Sequence, residues 1–331
     1  MKKVVRIISI CLSVILLAGG CVQKQSNTDT GDGGKVQVVT TIFPPFDFVR
    51  QIAGDYADIR MLLKPGAESH SYEPTPQDII AIQNCDVFVY TGGENDTWVD
   101  SILESMDTSK MQIISMTDCV ETVEEEVKEG MFSRESHEHG EAETHTEFEG
   151  DDHDQAEFDE HVWTSPVNAV HITEHIAQAL IQADPVHEAD YRDNTETYTQ
   201  KLTALDQEFR DVVSGAGRKE VVFGDRFPLR YFVDEYGLDY YAAFPGCAED
   251  TEPSAATIAF LIDKVKEDQI PVVFKIELSN GNIAGSIAEA AGAKVETFYT
   301  CHNISAEDYK NGETYLSLME RNVGILKEAL N

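Results

Sequence analysis

Two single histidines stand in turn-rich loops that are far apart in the sequence. His70 lies in segment 64–74, which contains two prolines and a glycine, and His161 lies in segment 159–166. Each loop is predicted to lie at the end of a β-strand, and helix-forming sequence begins just after the loop of His161. Imidazole is a common ligand of zinc and other late transition metals. The pattern indicates one metal site assembled from several short segments.

Two further donors occupy similar positions in the second half of the chain. Asp225 follows the predicted strand 220–223, and His302 follows the strand predicted within 292–298. Together with His70 and His161 they would form a shell of three nitrogens and one oxygen, which Zn²⁺ accepts in tetrahedral geometry. Three imidazoles favour zinc over manganese. Two alternatives stay open: Glu277 or water could replace one of these ligands, and Asp225 could instead cap a helix or pair with Arg226.

An acidic tract precedes His161. Residues 121–160 contain 17 Asp or Glu and only two basic residues. The tract has little apolar periodicity, so no regular structure is predicted for most of it. Its four histidines are His137, His139, His145 and His153. A solvated loop is the simpler interpretation, and an accessory loop that collects metal weakly and feeds the tighter site is the alternative that we favour.

Strands and helices alternate in both halves of the chain, which predicts parallel sheets with helices on their faces. We predict an α/β fold of two similar lobes, 36–185 and 215–331, with the acidic loop 121–160 in the first. Segment 186–214 is predicted to be one long helix that joins the lobes rigidly; a helical hairpin packed on one lobe is the alternative. In such sheets ligands bind beyond the carboxyl ends of the strands, where the candidate donors lie.

The N-terminus and the overall charge indicate an exported protein. Lys2, Lys3 and Arg6 precede the apolar run 7–17, the pattern of an export signal, and segment 22–35 has the composition of a flexible tether. The formal charge of the 331 residues is −35, which disfavours binding to nucleic acid.

Four cysteines remain after the N-terminal pair, and an even number outside the cell permits two disulfides. We predict Cys85–Cys119 and Cys247–Cys301, because each pair lies within one lobe. Other pairings and buried free thiols remain as alternatives.

Several motifs resemble those of the substrate-binding lipoproteins of bacterial zinc and manganese ABC importers. Segments 66–74 and 159–166 resemble the first and second ligand loops of that family, segment 312–322 resembles its C-terminal helix, and segment 17–21 resembles a lipobox in which Cys21 is lipidated. The second lobe departs from the family pattern: Asp225 stands nearest to the usual histidine or glutamate, and His302 stands in the loop that usually offers a carboxylate.

The resemblance implies a non-enzymatic, monomeric receptor with a helical-backbone metal-receptor fold and zinc in the cleft between its lobes. Its partners would be an ABC permease with its ATPase subunit, and it would be lipid-anchored at the outer face of the cytoplasmic membrane. The alternatives are the same role for manganese, a surface adhesin, or a zinc hydrolase on the same fold.

Overall fold

Two four-stranded parallel sheets form the framework of the computed structural model, which describes residues 34–67, 72–93, 96–131, 158–247 and 252–331. Residues Lys35–Asn331 constitute one compact unit. Among the described residues, no helix has the length and apolar character that a membrane span requires.

The first sheet has the strand order β2-β1-β3-β4. Its strands are β1 (Val36–Thr40), β2 (Ala57–Met61), β3 (Val87–Tyr90) and β4 (Gln112–Ser115). The helices that follow the first three of them are α1 (Phe43–Ala53), α2 (Pro76–Gln83) and α3 (Thr97–Glu104). Val38 and Val87 face one core, whereas Val39 and Phe88 face another, so the sheet is buried on both faces as parallel sheets are.

The second sheet repeats the same arrangement, with the order β6-β5-β7-β8. Its strands are β5 (Glu220–Phe227), β6 (Asp239–Pro245), β7 (Val272–Ile276) and β8 (Lys294–Phe298). The helices around it are α6 (Arg230–Tyr236), α7 (Ala255–Glu267), α8 (Asn282–Ala291), α9 (Ala306–Asn311) and α10 (Tyr315–Ala329). The predicted α/β fold of two similar lobes is confirmed. The sequence pattern missed α6 and the last four residues of β5, where the register shifts between Phe223 and Arg226.

Along the sequence, two helices connect the last strand of the first sheet to the first strand of the second. They are α4 (Pro166–Ala183) and α5 (Glu188–Ser214), separated by a 3₁₀ turn at Pro185–His187. With 27 residues, α5 is about 40 Å long. Its buried side chains form one stripe, Tyr191, Tyr198, Leu202, Leu205, Phe209 and Val213. This stripe joins a core that contains residues of both lobes, so α5 is packed along its whole length rather than exposed as a linker.

The two predicted disulfides are not formed. Cys85, Cys119, Cys247 and Cys301 are free thiols. The Cys85 thiol donates to the carbonyl oxygen of Ile82 at 3.1 Å, and the Cys119 thiol donates to that of Ser115 at 3.3 Å. Burial raises the pKa of each of these two thiols to about 12, so both stay protonated and unreactive.

Candidate metal centre

Glu160, His161 and His302 form a group whose ligand atoms all lie within 4.8 Å of one another. Glu160 and His161 precede α4, whereas His302 follows β8, so the group joins segments of both lobes. Glu160 and His161 are buried, and His302 is partly exposed. Imidazole nitrogens and carboxylate oxygens are both ligands found in protein zinc sites.

The backbone around His161 holds its ring in one orientation. The Oδ1 atom of Asp159 accepts a hydrogen bond from the His161 backbone N–H at 2.8 Å and lies 2.9 Å from Nδ1 of the ring. The hydroxyl of Thr164 donates to the His161 carbonyl oxygen at 2.8 Å. Since Nδ1 is engaged by the carboxylate, a metal would be bound through Nε2.

The charges around His161 favour its protonated form in the absence of metal. Burial lowers the pKa of His161, but the carboxylates of Asp159, Glu160 and Glu125 outweigh burial, and the net shift is upward. The same carboxylates favour a bound divalent cation, because they supply negative charge in a site that is shielded from water.

Glu160 is the group member that sequence reasoning missed, because its position in the acidic tract made it look like a surface residue. It is 1% exposed. The backbone of Gly93, at φ +94°, packs closely against the Glu160 side chain. Any other residue at position 93 would place its Cβ atom 2.8 Å from Oε2 of Glu160, which is too close. The available signal was its place directly before His161, where a strand-end loop meets a helix.

A cavity of about 20 Å³ adjoins Glu160 and His302, large enough for about one water molecule or one ion. Its lining residues are Thr41, Ile42, Leu63, Tyr72, Thr91, Asp96, Glu160 and His302. Asp96 is almost fully buried and accepts from the backbone N–H of Thr91 at 2.7 Å. Burial and, to a lesser extent, the charge of Glu160 raise the pKa of Asp96 to about 7.

His302 is held by a short chain of hydrogen bonds that begins at Glu277. The Glu277 carboxylate accepts from the Thr300 backbone N–H and from the Thr300 hydroxyl, both at 2.8 Å. The same hydroxyl oxygen accepts from the His302 backbone N–H at 3.3 Å. Burial raises the pKa of Glu277 to about 7. Glu277, considered above as an alternative ligand, therefore supports the His302 loop instead of joining the described group.

The loops of the two lobes are tied to one another beside this group. The amide of Asn303 donates to the carbonyl oxygens of Lys64 at 2.9 Å and Ala67 at 2.7 Å, at the root of the first ligand loop. The indole of Trp163 donates to the Thr300 carbonyl oxygen at 2.9 Å. These contacts hold three segments from two lobes around one point.

Asp225, predicted as a ligand, is not part of the described group. Its Oδ1 accepts from the backbone N–H of Arg226 at 3.0 Å, and its Oδ2 accepts from that of Ile276 in the adjacent strand at 3.4 Å. The pairing of β5 with β6 shifts register between Phe223 and Arg226, the stretch that contains Asp225.

Several predicted site residues lie outside the described residues. They are His70, Cys21 and the four histidines His137, His139, His145 and His153. The described ends of the acidic tract meet in an isolated antiparallel bridge between Glu124 and Phe158. That bridge brings the root of the acidic loop directly before Glu160 and His161.

The chain is similar to proteins that are named for zinc uptake or zinc binding. The family model described as zinc-uptake complex component A, periplasmic, matches residues 38–329. The zinc-binding lipoprotein AdcA of Streptococcus pneumoniae (strain TIGR4) is 34% identical over 329 residues, which are 99% of this chain and 61% of AdcA. The high-affinity zinc uptake system protein ZnuA of Bacillus subtilis is 33% identical over 324 residues, which are 98% of this chain and 96% of that protein. The chain thus spans about three fifths of the length of the streptococcal relative.

Solved structures show the same fold. The Zn(II)-bound ZnuA-like domain of S. pneumoniae AdcA superposes with a TM-score of 0.71 at 31% identity, covering 90% of this chain and 99% of that domain. The metal-dependent lipoprotein YcdH of B. subtilis superposes with a TM-score of 0.73 at 30% identity, covering 90% of this chain and all of that chain.

Proposed function

The chain belongs to the family of the periplasmic zinc-uptake complex component A, and we propose from this premise that it captures Zn²⁺ between its lobes and delivers it to an ABC permease. The observation that carries the proposal is the group of Glu160, His161 and His302, whose ligand atoms lie within 4.8 Å of one another. We propose His70 as the fourth ligand, because its loop root is bound by Asn303, the residue after His302. Zinc accepts three imidazoles and a carboxylate in tetrahedral geometry.

Zinc is the proposed cargo in preference to manganese. Manganese favours carboxylate and water oxygens, whereas zinc favours imidazole nitrogens. His302 supplies an imidazole in the late loop, where the family pattern usually has a carboxylate. The ligand at this position therefore favours zinc over manganese.

Competition between the two metals tests this proposal. We expect purified protein lacking residues 1–21 to bind one tight equivalent of Zn²⁺, and to bind Mn²⁺ far more weakly. The substitution His302→Asp replaces the late imidazole by a carboxylate. It should reduce the ratio of the Zn²⁺ affinity to the Mn²⁺ affinity by about tenfold or more, because one nitrogen donor becomes an oxygen donor. Isothermal titration with a chelator in competition measures both affinities. Equal affinity for the two metals in the wild type would contradict zinc selectivity, and no binding of either would contradict the receptor role.

Delivery requires an extracytoplasmic location. We propose that residues 1–21 are a lipoprotein signal peptide, that Cys21 carries the lipid, and that 22–35 tether a monomer to the outer face of the cytoplasmic membrane. The lobes proposed for 36–185 and 215–331, joined by 186–214, would then face the permease and its ATPase subunit as a non-enzymatic receptor. The supporting features are the export-signal pattern and the names of lipoprotein relatives.

The acidic loop is proposed to collect metal for the tight site. Met131, at its first end, is buried in the core, so substitution disturbs the fold less than deletion does. We expect the fourfold variant His137→Ala, His139→Ala, His145→Ala and His153→Ala to keep the tight Zn²⁺ equivalent. It should lose the weak additional equivalents, since carboxylates alone bind zinc weakly. Titration past one equivalent measures both. Loss of the tight equivalent in this variant would contradict an accessory role.

A further inference from the structure

We infer that Tyr231, in helix α6 of the second lobe, is a positioning residue for the ligand His161, acting through Asp159. The inference rests on the proposed function, since it concerns how the metal ligand is held. It assigns to helix α6 a role at this ligand, in addition to that of His302, the second-lobe member of the described group.

The hydroxyl of Tyr231 binds two backbone groups at the root of the acidic loop. It donates to the carbonyl oxygen of Asp159 at 2.6 Å and accepts from the backbone N–H of Val123 at 3.2 Å. Tyr231 is 5% exposed. Burial raises the pKa of Tyr231, so the hydroxyl keeps its proton and can donate throughout the physiological range.

Asp159 connects the Tyr231 hydroxyl to the metal ligand His161. The residue is 1% exposed, and its Oδ1 accepts from the backbone N–H of His161 and faces Nδ1 of the ring at 2.9 Å. Two hydrogen bonds therefore separate the Tyr231 hydroxyl from the imidazole. A shift of the Asp159 backbone rotates the carboxylate, and the carboxylate sets the direction in which Nε2 of His161 points.

The Asp159 backbone is also bonded to Val123. Its N–H donates to the Val123 carbonyl oxygen at 2.9 Å, next to the isolated bridge between Glu124 and Phe158. An isolated bridge lacks the cooperative hydrogen bonding of a sheet. The Tyr231 hydroxyl joins both members of this pair to helix α6, and so fixes them to the second lobe.

Neighbouring contacts hold the partner strand to the same lobe. Glu125 accepts from the backbone N–H of Cys247 at 2.9 Å, and Glu126 pairs with Arg230 at 2.7 Å. Segment 123–126 is thereby fixed, whereas the Asp159 carbonyl oxygen depends on Tyr231. The Tyr231 hydroxyl binds the ligand segment itself, at the carbonyl oxygen directly before Glu160.

The test compares Tyr231→Phe with Tyr236→Phe. The phenylalanine ring fills the same space in each case. Tyr236 lies in the same helix, and its hydroxyl donates to Asp206 in α5 at 3.1 Å, so the control loses a comparable hydrogen bond that does not reach the ligand segment. We expect Tyr231→Phe to weaken Zn²⁺ binding by about 10-fold and to change the visible absorption spectrum of bound Co²⁺. Tyr236→Phe should keep the wild-type affinity and spectrum. The shift of the urea midpoint on adding zinc reports affinity even if a variant is less stable.

A double-mutant cycle with Asp159→Ala shows whether Tyr231 acts through this carboxylate. In the Asp159→Ala background, Tyr231→Phe should cause no further loss of Zn²⁺ affinity, because the side chain that transmits the contact is gone. Wild-type affinity and Co²⁺ spectrum in Tyr231→Phe, or equal additive losses in both backgrounds, would overturn the inference. Failure of the wild type to bind zinc would instead refute the proposed function.

Discussion

His161→Ala is expected to lower the affinity for Zn²⁺ by more than about 100-fold, since it removes a buried metal ligand that Asp159 orients. Chelator competition measures the affinity directly. Thermal melting gives a second measure, because zinc stabilises the folded protein in proportion to the logarithm of its concentration over Kd.

His171→Ala is the matched control for this variant. His171 lies in α4, ten residues after His161, and its side chain is 55% exposed. Its substitution should leave both the affinity and the zinc-induced rise in melting temperature unchanged. If His161→Ala bound zinc as tightly as this control, the group of Glu160, His161 and His302 would not be the binding site.

Asp47→Ala is expected to lower the free energy of unfolding by about 3 kcal/mol. Asp47 is completely buried in α1, and its carboxylate accepts from the Tyr315 backbone N–H at 2.7 Å and from Arg50 Nε at 2.9 Å. Arg50 also donates to the Glu313 carbonyl oxygen at 3.1 Å. One carboxylate therefore joins the first lobe to the start of α10, and its removal leaves a buried N–H group and a guanidinium without their acceptor.

Urea unfolding of the metal-free protein measures this effect. We expect a lower midpoint with an unchanged dependence on urea, which indicates lost stability without a change in the surface that unfolding exposes. Asp55→Ala, an exposed acid just beyond α1, is the control and should change the free energy of unfolding by less than about 0.5 kcal/mol. A comparably small effect for Asp47→Ala would mean that this carboxylate does not hold the lobes together.

Local pattern was sufficient for most of the secondary structure. Apolar runs such as 86–90 and 220–223 predicted buried strands, and prolines and N-terminal caps marked the starts of helices such as Pro76–Gln83 and Pro166–Ala183. These signals succeed because strand alternation, helix periodicity and capping depend on neighbours in the sequence. Helix α6 was missed, since its seven residues are too few to show a helical period.

The sequence by itself determined the α/β fold of two similar lobes, the family and the candidate histidines His161 and His302, because each depends on a local motif or on the order of elements. Only the tertiary structure decided which carboxylate stands beside them. Glu160 lies beside the histidines with Gly93 packed against its side chain, whereas Asp225 accepts from the Ile276 backbone N–H at the point where β5 shifts register. The free thiols and the bond from Tyr231 to Asp159 were likewise decided there. The contacts of Glu160, Asp225 and Tyr231 join residues tens of positions apart, and their geometry follows from packing that no local pattern encodes.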